Sequence, residues 1–258
     1  IPKVISGSST KALNKIEDIY KKIIKAKLVK VKNIRTAEAA KIIENTQRDV
    51  NIALINEFSI FCKKMNININ EVLNASKTKW NFLSFVPGLV GGHCIGVDPY
   101  YLNYKANKLN VNLNTIVSSR NVNEGMPRYI FENIKKLSKL KNIKITNSNT
   151  LILGAAFKEN CPDVRNSGSI KLANYLKKAG SSVSIYDPLI NKDNNEYKKQ
   201  HNFINTIRYN YYDIIIYCVD HNVFKKLTFK NLIKYSKKNN IIFDLKFKFK
   251  NNEVDSYI

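Results

Sequence analysis

The stretch Thr150-Leu151-Ile152-Leu153-Gly154-Ala155-Ala156-Phe157-Lys158 decides how this chain folds. An apolar run from Thr150 to Gly154 without polar alternation is the pattern of a strand buried on both faces. The sequence beyond repeats the theme. Ser167 to Ala179 carries a helical period ended by Gly180, Ser182 to Tyr186 reads as a second strand closed by Asp187-Pro188, and Asp213–Val219 and Asn240–Leu245 read as two more buried strands. A helix starting near His221 separates the last two. Strands alternating with helices specify a doubly wound parallel sheet, a Rossmann-like α/β fold. The turn after the first strand is not a Gly-x-Gly-x-x-Gly phosphate loop, so this segment alone is weak evidence for a nucleotide.

Upstream the pattern is helical. Asn114 opens a helical segment carrying Arg120 and Asn123, and Gly125-Met126-Pro127 reads as a break or domain boundary. Pro99 can open a shorter helix with Tyr101, Leu102 and Ala106 on one face. A helix is expected over Asn70–Ser76, and a longer one from an N-cap at Thr36 to about Lys64. Between Val50 and Phe61 apolar residues fall nearly all round this helix, which suits a domain spine or an oligomer interface. Lys41 and Asn45, four apart, share a face of its first half. At the start, Lys3-Val4-Ile5, an amphipathic Thr10–Leu28 and Leu28-Val29-Lys30-Val31 read as strand, helix and strand. From this pattern the opening is expected to be the last piece of a βαβ domain that continues from something longer.

Between these helices stands Pro87-Gly88-Leu89-Val90-Gly91-Gly92-His93-Cys94-Ile95-Gly96-Val97-Asp98-Pro99-Tyr100, in which four of the chain's nine glycines surround one cysteine. Glycines this dense suit a backbone that needs positive φ or close approach to a ligand. A thiol with a carboxylate four residues on suits a nucleophile in a pocket. Cys62, Cys94, Cys161 and Cys218 lie too far apart for a zinc site or a disulfide framework. No metal is expected.

The 258 residues carry a formal charge of +23. Lysine outnumbers arginine 37 to 6 and is scattered over all segments, and asparagine is nearly as common. A drift in base composition accounts for this pattern, so nucleic acid is not expected as a partner. The longest apolar run, Ile214–Val219, is far short of a membrane span, and the first residues lack a signal-peptide pattern. A cytoplasmic location is expected.

Four segments in order carry a resemblance: Ala37 to Thr46, Asp49 to Ala53, Pro87 to Tyr101, and Phe157-Lys158-Glu159-Asn160-Cys161-Pro162-Asp163-Val164-Arg165-Asn166-Ser167. Together they resemble the nucleotide-sugar 6-dehydrogenases, in the branch acting on UDP-N-acetylhexosamines. The resemblance implies an NAD-dependent four-electron oxidation of the C6 alcohol to a carboxylate for surface polysaccharide synthesis. Cys94 would be the nucleophile, Lys41 and Asn45 would stabilise oxyanion character, and Asp98 would position water. Lys158 would hold the UDP diphosphate, Gly91 and Gly92 would line the substrate pocket, and Lys79 would reach the partner subunit's site. Arg165 would meet the NAD pyrophosphate. The implied assembly is a homodimer through the long helix.

The implied division is residues 1–34 as the tail of an N-terminal NAD-binding domain, 35–126 as a central helical dimerisation domain, and 127–258 as a C-terminal UDP-sugar-binding domain. The sequence departs from the family in two places. It contains no Gly-x-Gly-x-x-Gly turn, and Tyr257 stands where the family has arginine in an Asp-x-Arg. This chain alone is therefore expected to be inactive, and a non-catalytic remnant that dimerises and at most binds UDP-sugar is the alternative reading.

Overall fold

In a computed structural model, residues 1–190, 200–250 and 252–258 are described. The chain opens with β1 (Lys3–Ile5), α1 (Thr10–Ile23) and β2 (Leu28–Lys30). The two strands pair in parallel with Lys3 opposite Leu28, the βαβ unit that the sequence pattern specifies. Ser9 caps α1 by accepting the Ala12 N–H. α1 has no buried residue, and only Ile5 of this unit is buried.

α2 (Ile34–Lys64) is the long central helix. Its cap is Asn33, not Thr36. The Asn33 side chain accepts both the Thr36 N–H at 2.8 Å and the Thr36 hydroxyl at 2.9 Å, because an amide oxygen one residue before the helix reaches the third N–H. The expectation of burial on most sides holds for one face. Ala53 and Ile55 are buried, whereas Leu54, Phe58 and Phe61 are 59%, 40% and 53% exposed in the single chain. α3 (Ile69–Ser76) follows, then residues 77–97 without regular structure, then α4 (Asp98–Asn107) with Pro99 in its first turn.

α5 (Asn114–Leu140) corrects the expected break at Gly125-Met126-Pro127, since it runs through Pro127 without interruption. A proline inside a helix costs roughly 3 kcal/mol. The continuous helix buries Met126, Ile130 and Ile134 against the C-terminal sheet's core, each contributing about 1.5–3 kcal/mol. Packing therefore outweighs the local penalty.

The C-terminal part contains β3 (Asn149–Leu153), α6 (Gly168–Lys178), β4 (Ser182–Tyr186), β5 (Asn202–Phe203), β6 (Tyr212–Tyr217), α7 (Phe229–Tyr235), β7 (Ser236–Asp244) and β8 (Ser256–Tyr257). All neighbours pair in parallel in the order β5-β4-β3-β6-β7-β8, a doubly wound sheet. One face packs Ile152, Ile185, Ile214 and Phe243 under α5 and α6, and the other packs Leu151, Tyr217 and Ile242 under α7. The segment at His221 differs from expectation. Asn222–Phe224 forms only a 3-10 turn, and α7 starts later, where Thr228 and Asn231 make a reciprocal capping box.

Candidate active site

Strand order reverses between β3 and β6, and in open parallel sheets that is where a crevice forms outside the carboxyl ends of the strands. The cysteine loop lies across this crevice. Residues Gly91 and Gly92 are buried against the loop that follows β3. A side chain at Gly91 would stand 2.8 Å from the Asn166 carbonyl, and one at Gly92, with φ +84°, would stand 2.8 Å from the Phe157 ring. The Gly92 N–H donates to the Arg165 carbonyl at 3.0 Å, and the Asn166 amide donates to the Gly92 carbonyl at 3.1 Å. The two glycines thus serve as close-contact backbone between the domains.

Beyond them the chain turns tightly. The Cys94 carbonyl accepts the N–H of Val97 at 2.9 Å and of Asp98 at 2.8 Å, which seats the half-buried cysteine directly before α4. Asp98 Oδ2 accepts the Asn45 amide at 2.6 Å. Asn45 is buried, so α2 fixes the carboxylate and, through the turn, the cysteine. Of the residues expected to act together, Asn45, Asp98 and Cys94 are brought into one linked group. Lys41 is not joined to it: its ammonium is exposed and pairs with Glu44 at 2.8 Å. Lys79 is exposed in the turn after α3, where its N–H donates to the Ser76 carbonyl.

Lys158 is exposed at the crevice, with its ammonium 5.4 Å from the Phe157 ring centroid. Arg165 is also exposed. Its guanidinium pairs with Asp163 at 2.6 Å and meets His93 Nδ1 at 3.3 Å. The arginine holds the Asp163 carboxyl below its ordinary value. Tyr257 lies in the short edge strand β8, its ring 5.4 Å from that of Phe247.

Three groups escaped the sequence reading. A buried network supports the cysteine loop from beneath. Asn56 accepts the Gly88 N–H at 2.8 Å and donates to its carbonyl, then donates to Asn123 at 2.9 Å. Asn123 donates to Asp49, and Arg120 Nη1 pairs with Asp49 at 2.6 Å. Burial pushes the Asp49 carboxyl up against the opposing pull of Arg120 and Asn123. Arg120 also reaches Glu124 at 2.5 Å, and Glu124 pairs with Lys171 on α6. The signal was present in the sequence: Asn45, Asp49 and Asn56, four and then seven residues apart, recur on one face of α2.

The second group is the fully buried pair Asp187 and His221. Asp187 Oδ2 accepts the N–H groups of Ala155 at 2.7 Å and Ala156 at 3.0 Å and lies 3.1 Å from His221 Nε2. His221 Nδ1 accepts the Asn160 N–H at 2.9 Å. Burial works against the Asp187 carboxylate, but the histidine and the two N–H donors outweigh it and hold the group below its ordinary value. The loops after β3, β4 and β6 are thereby tied together beneath Lys158. The third is Lys246, just after β7, which pairs with Glu159 and lines a small cavity with Leu89, Lys158, Ser169 and Cys218. Burial raises the Cys218 thiol to about 12, so it stays protonated and inert. Among the described residues no cluster of histidine, cysteine and carboxylates suits a metal ion.

A doubly wound parallel sheet whose crevice is crossed by a cysteine-bearing loop from a helical region defines a Rossmann-like α/β class of protein. The chain belongs to the UDP-glucose/GDP-mannose dehydrogenase family, matching the family's central domain over residues 35–125 and its UDP binding domain over residues 151–251. It is 42% identical over 249 residues to the UDP-N-acetyl-D-glucosamine 6-dehydrogenase of Salmonella typhi, covering 96% of this chain and 58% of that protein. It is 42% identical to protein CapL of Staphylococcus aureus, covering 99% and 60%. The solved structure of a UDP-D-ManNAc dehydrogenase from Pyrococcus horikoshii superposes with a TM-score of 0.79 at 30% identity, covering 96% of this chain and 59% of that one. The chain thus spans about six tenths of the length of these relatives.

Proposed function

We propose that this chain carries the cysteine and sugar-nucleotide part of a UDP-N-acetylhexosamine 6-dehydrogenase that makes a uronic acid for surface polysaccharide. The observation that carries the reading is the linked group Asn45, Asp98 and Cys94 on a loop docked over the crevice. The names of the relatives support a UDP-N-acetylhexosamine as substrate, with the glucosamine form favoured by the 42% identity to the Salmonella protein.

Lys158, at the mouth of the crevice, suits the diphosphate, a role for a point charge on a flexible stem. Lys246, beside it, adds a second cation. Gly91 and Gly92 shape the sugar's approach by bringing backbone close. NAD would supply the hydride acceptor, two molecules in turn each taking one of the two hydrides that the four-electron oxidation releases. The exposed Arg165 guanidinium beside the cysteine loop fits its pyrophosphate, because bidentate donors match phosphate oxygens.

The Cys94 thiolate adds to the C6 aldehyde, forming a C–S bond and an alkoxide. Asn45 and the ammonium of Lys41, once swung from Glu44, stabilise that oxyanion. When the carbon has reached the thioester level, Asp98 orients a water. The water's oxygen bonds to the carbonyl carbon as one of its protons passes to the Asp98 carboxylate, the C–S bond breaks, and the sulfur leaves as thiolate with the carboxylic acid formed.

The exposed Leu54, Phe58 and Phe61 edge of α2 supports a homodimer through this helix, with Lys79 reaching the partner's sugar nucleotide. Among the described residues no helix is long and apolar enough to cross a membrane, which accords with work in the cytoplasm.

The test is NADH formation with UDP-N-acetylglucosamine by the protein carrying this chain. Two NADH per sugar are expected, with turnover lost in Cys94→Ser. Full turnover in that variant would sink the covalent route.

A further inference from the structure

The cysteine loop is held firmly on either side of Cys94 and loosely just after it. Before the cysteine, α6 starts in close contact with the loop: a side chain at Gly168 would stand 2.6 Å from Leu89 Cβ. At its far end, Asn45 of α2 grips Asp98. Between these two holds, Gly96 and Val97 border a gap of about 160 Å³, with Glu124 and Lys171 among the residues that close it. Close packing therefore does not by itself set where this part of the loop lies.

A column of charge runs beside the gap. Asp49 of α2 binds Arg120 Nη1 at 2.6 Å, Arg120 Nη2 binds Glu124 Oε1 at 2.5 Å, and Glu124 Oε2 binds Lys171 of α6. The guanidinium at its centre is 3% exposed and meets the loop region twice. A Cβ built on Gly96 would lie 3.9 Å from both Nη1 and Nη2, and the Tyr100 ring centroid lies 5.4 Å from Arg120 Cζ. Asp49 stands one helical turn after Asn45, so α2 supplies both the grip on Asp98 and the near end of the column. Taking such charges out of water costs about as much as their attraction returns, so what the intact column adds is chiefly a fixed geometry.

We propose that Glu124 and Lys171 are positioning residues for Cys94. Their ion pair across α5 and α6 aims the Arg120 guanidinium, and the guanidinium fixes the turn from Cys94 to Asp98 so that the thiol is held for attack. The role rests on Cys94 being the nucleophile proposed above. Neither residue touches substrate in it, and the far end of the column lies in the sheet domain, so the cysteine's place depends on how α6 is docked.

The Glu124 and Lys171 side chains are 37% and 38% exposed, so replacing them should leave the fold standing, with thermal melting as the check. The first measurement is hydrogen exchange of the peptide containing the Val97 and Asp98 amides, both of which donate to the Cys94 carbonyl. It is made on this chain without substrate. Lys171→Met and Glu124→Gln should each speed exchange there severalfold and leave the β6 peptide unchanged. The double variant should be no faster than the worse single one, because both act through one link. Lys171→Arg should stay near native. Unchanged exchange in the single variants overturns the role.

The second measurement is turnover of UDP-N-acetylglucosamine with NAD by the protein carrying this chain. A small displacement of a reacting group is costly, so Lys171→Met should lower kcat about tenfold with KM within about twofold of native, and Lys171→Arg should restore it. A raised KM with native kcat would make Lys171 a binding residue and overturn the role. The two readings fail separately. If the native protein shows no turnover, the dehydrogenase reading falls and takes the role with it; if it turns over and the variants match its kcat, the role alone falls.

Discussion

Lys63 offers the most quantitative test of how the helical and sheet domains are joined. It stands in the last turn of α2, where its ammonium donates to Ser256 Oγ at 2.7 Å and to the Tyr257 carbonyl at 2.8 Å. It also lies 5.2 Å from the Phe243 ring centroid. Among the described residues no carboxylate pairs with it. Burial, helped by the charge of Lys136, lowers its pKa from 10.5 to about 8. At about 1.4 kcal/mol per unit, the charged form therefore costs the fold up to about 3 kcal/mol.

Below pH 8 the lysine is charged in both the folded and the unfolded chain, and the whole cost is present. Between about pH 8 and 10.5 the unfolded chain holds a proton that the folded one has lost, so stability rises with pH. Above that window both forms are neutral and the cost is gone. Lys63→Met removes the titration, leaving a constant offset from the two lost hydrogen bonds. Urea unfolding of both proteins from pH 7 to 10.5 should show the native chain gaining up to about 3 kcal/mol relative to the variant. A difference that stays flat across that window would refute the argument, whatever its absolute value.

Three further outcomes follow from the site. Gly92→Ala forces a Cβ into a positive-φ position 2.8 Å from Phe157 and should cost about 1–3 kcal/mol by thermal unfolding. Gly88→Ala, with nothing within 4 Å, is the matched control and should be near neutral. Arg120→Met strands the buried Asp49 carboxylate and should cost about 3–5 kcal/mol at pH 7. Because Asp49 is already raised, part of that loss should return as the pH is lowered and the group takes up a proton, which denaturation at pH 5 would reveal. His221→Ala unties the Asn160 N–H and Asp187, and should cost about 1–3 kcal/mol and weaken UDP binding by titration calorimetry. Unchanged UDP affinity would show that these loops do not need the histidine.

What the sequence by itself determined was whatever rests on local pattern. The buried strands Asn149–Leu153 and Tyr212–Tyr217 declare themselves because a doubly covered strand has no wet face, and their alternation with helices then specifies the sheet class. The glycines around Cys94 were legible for the same reason, since few other residues tolerate such close backbone. The tertiary structure decided matters of competition and distance. Pro127 ends a helix in isolation, yet Met126, Ile130 and Ile134 pack well enough to carry α5 through it. Lys41 and Asn45 share a face by periodicity, but only Asn45 meets Asp98, while the Lys41 ammonium pairs with Glu44 on its own helix. Asp187 and His221 stand 34 residues apart with nothing local to link them. Their pairing exists because parallel strands deliver their carboxyl ends to one edge of the sheet, a consequence of topology that periodicity along the chain does not encode.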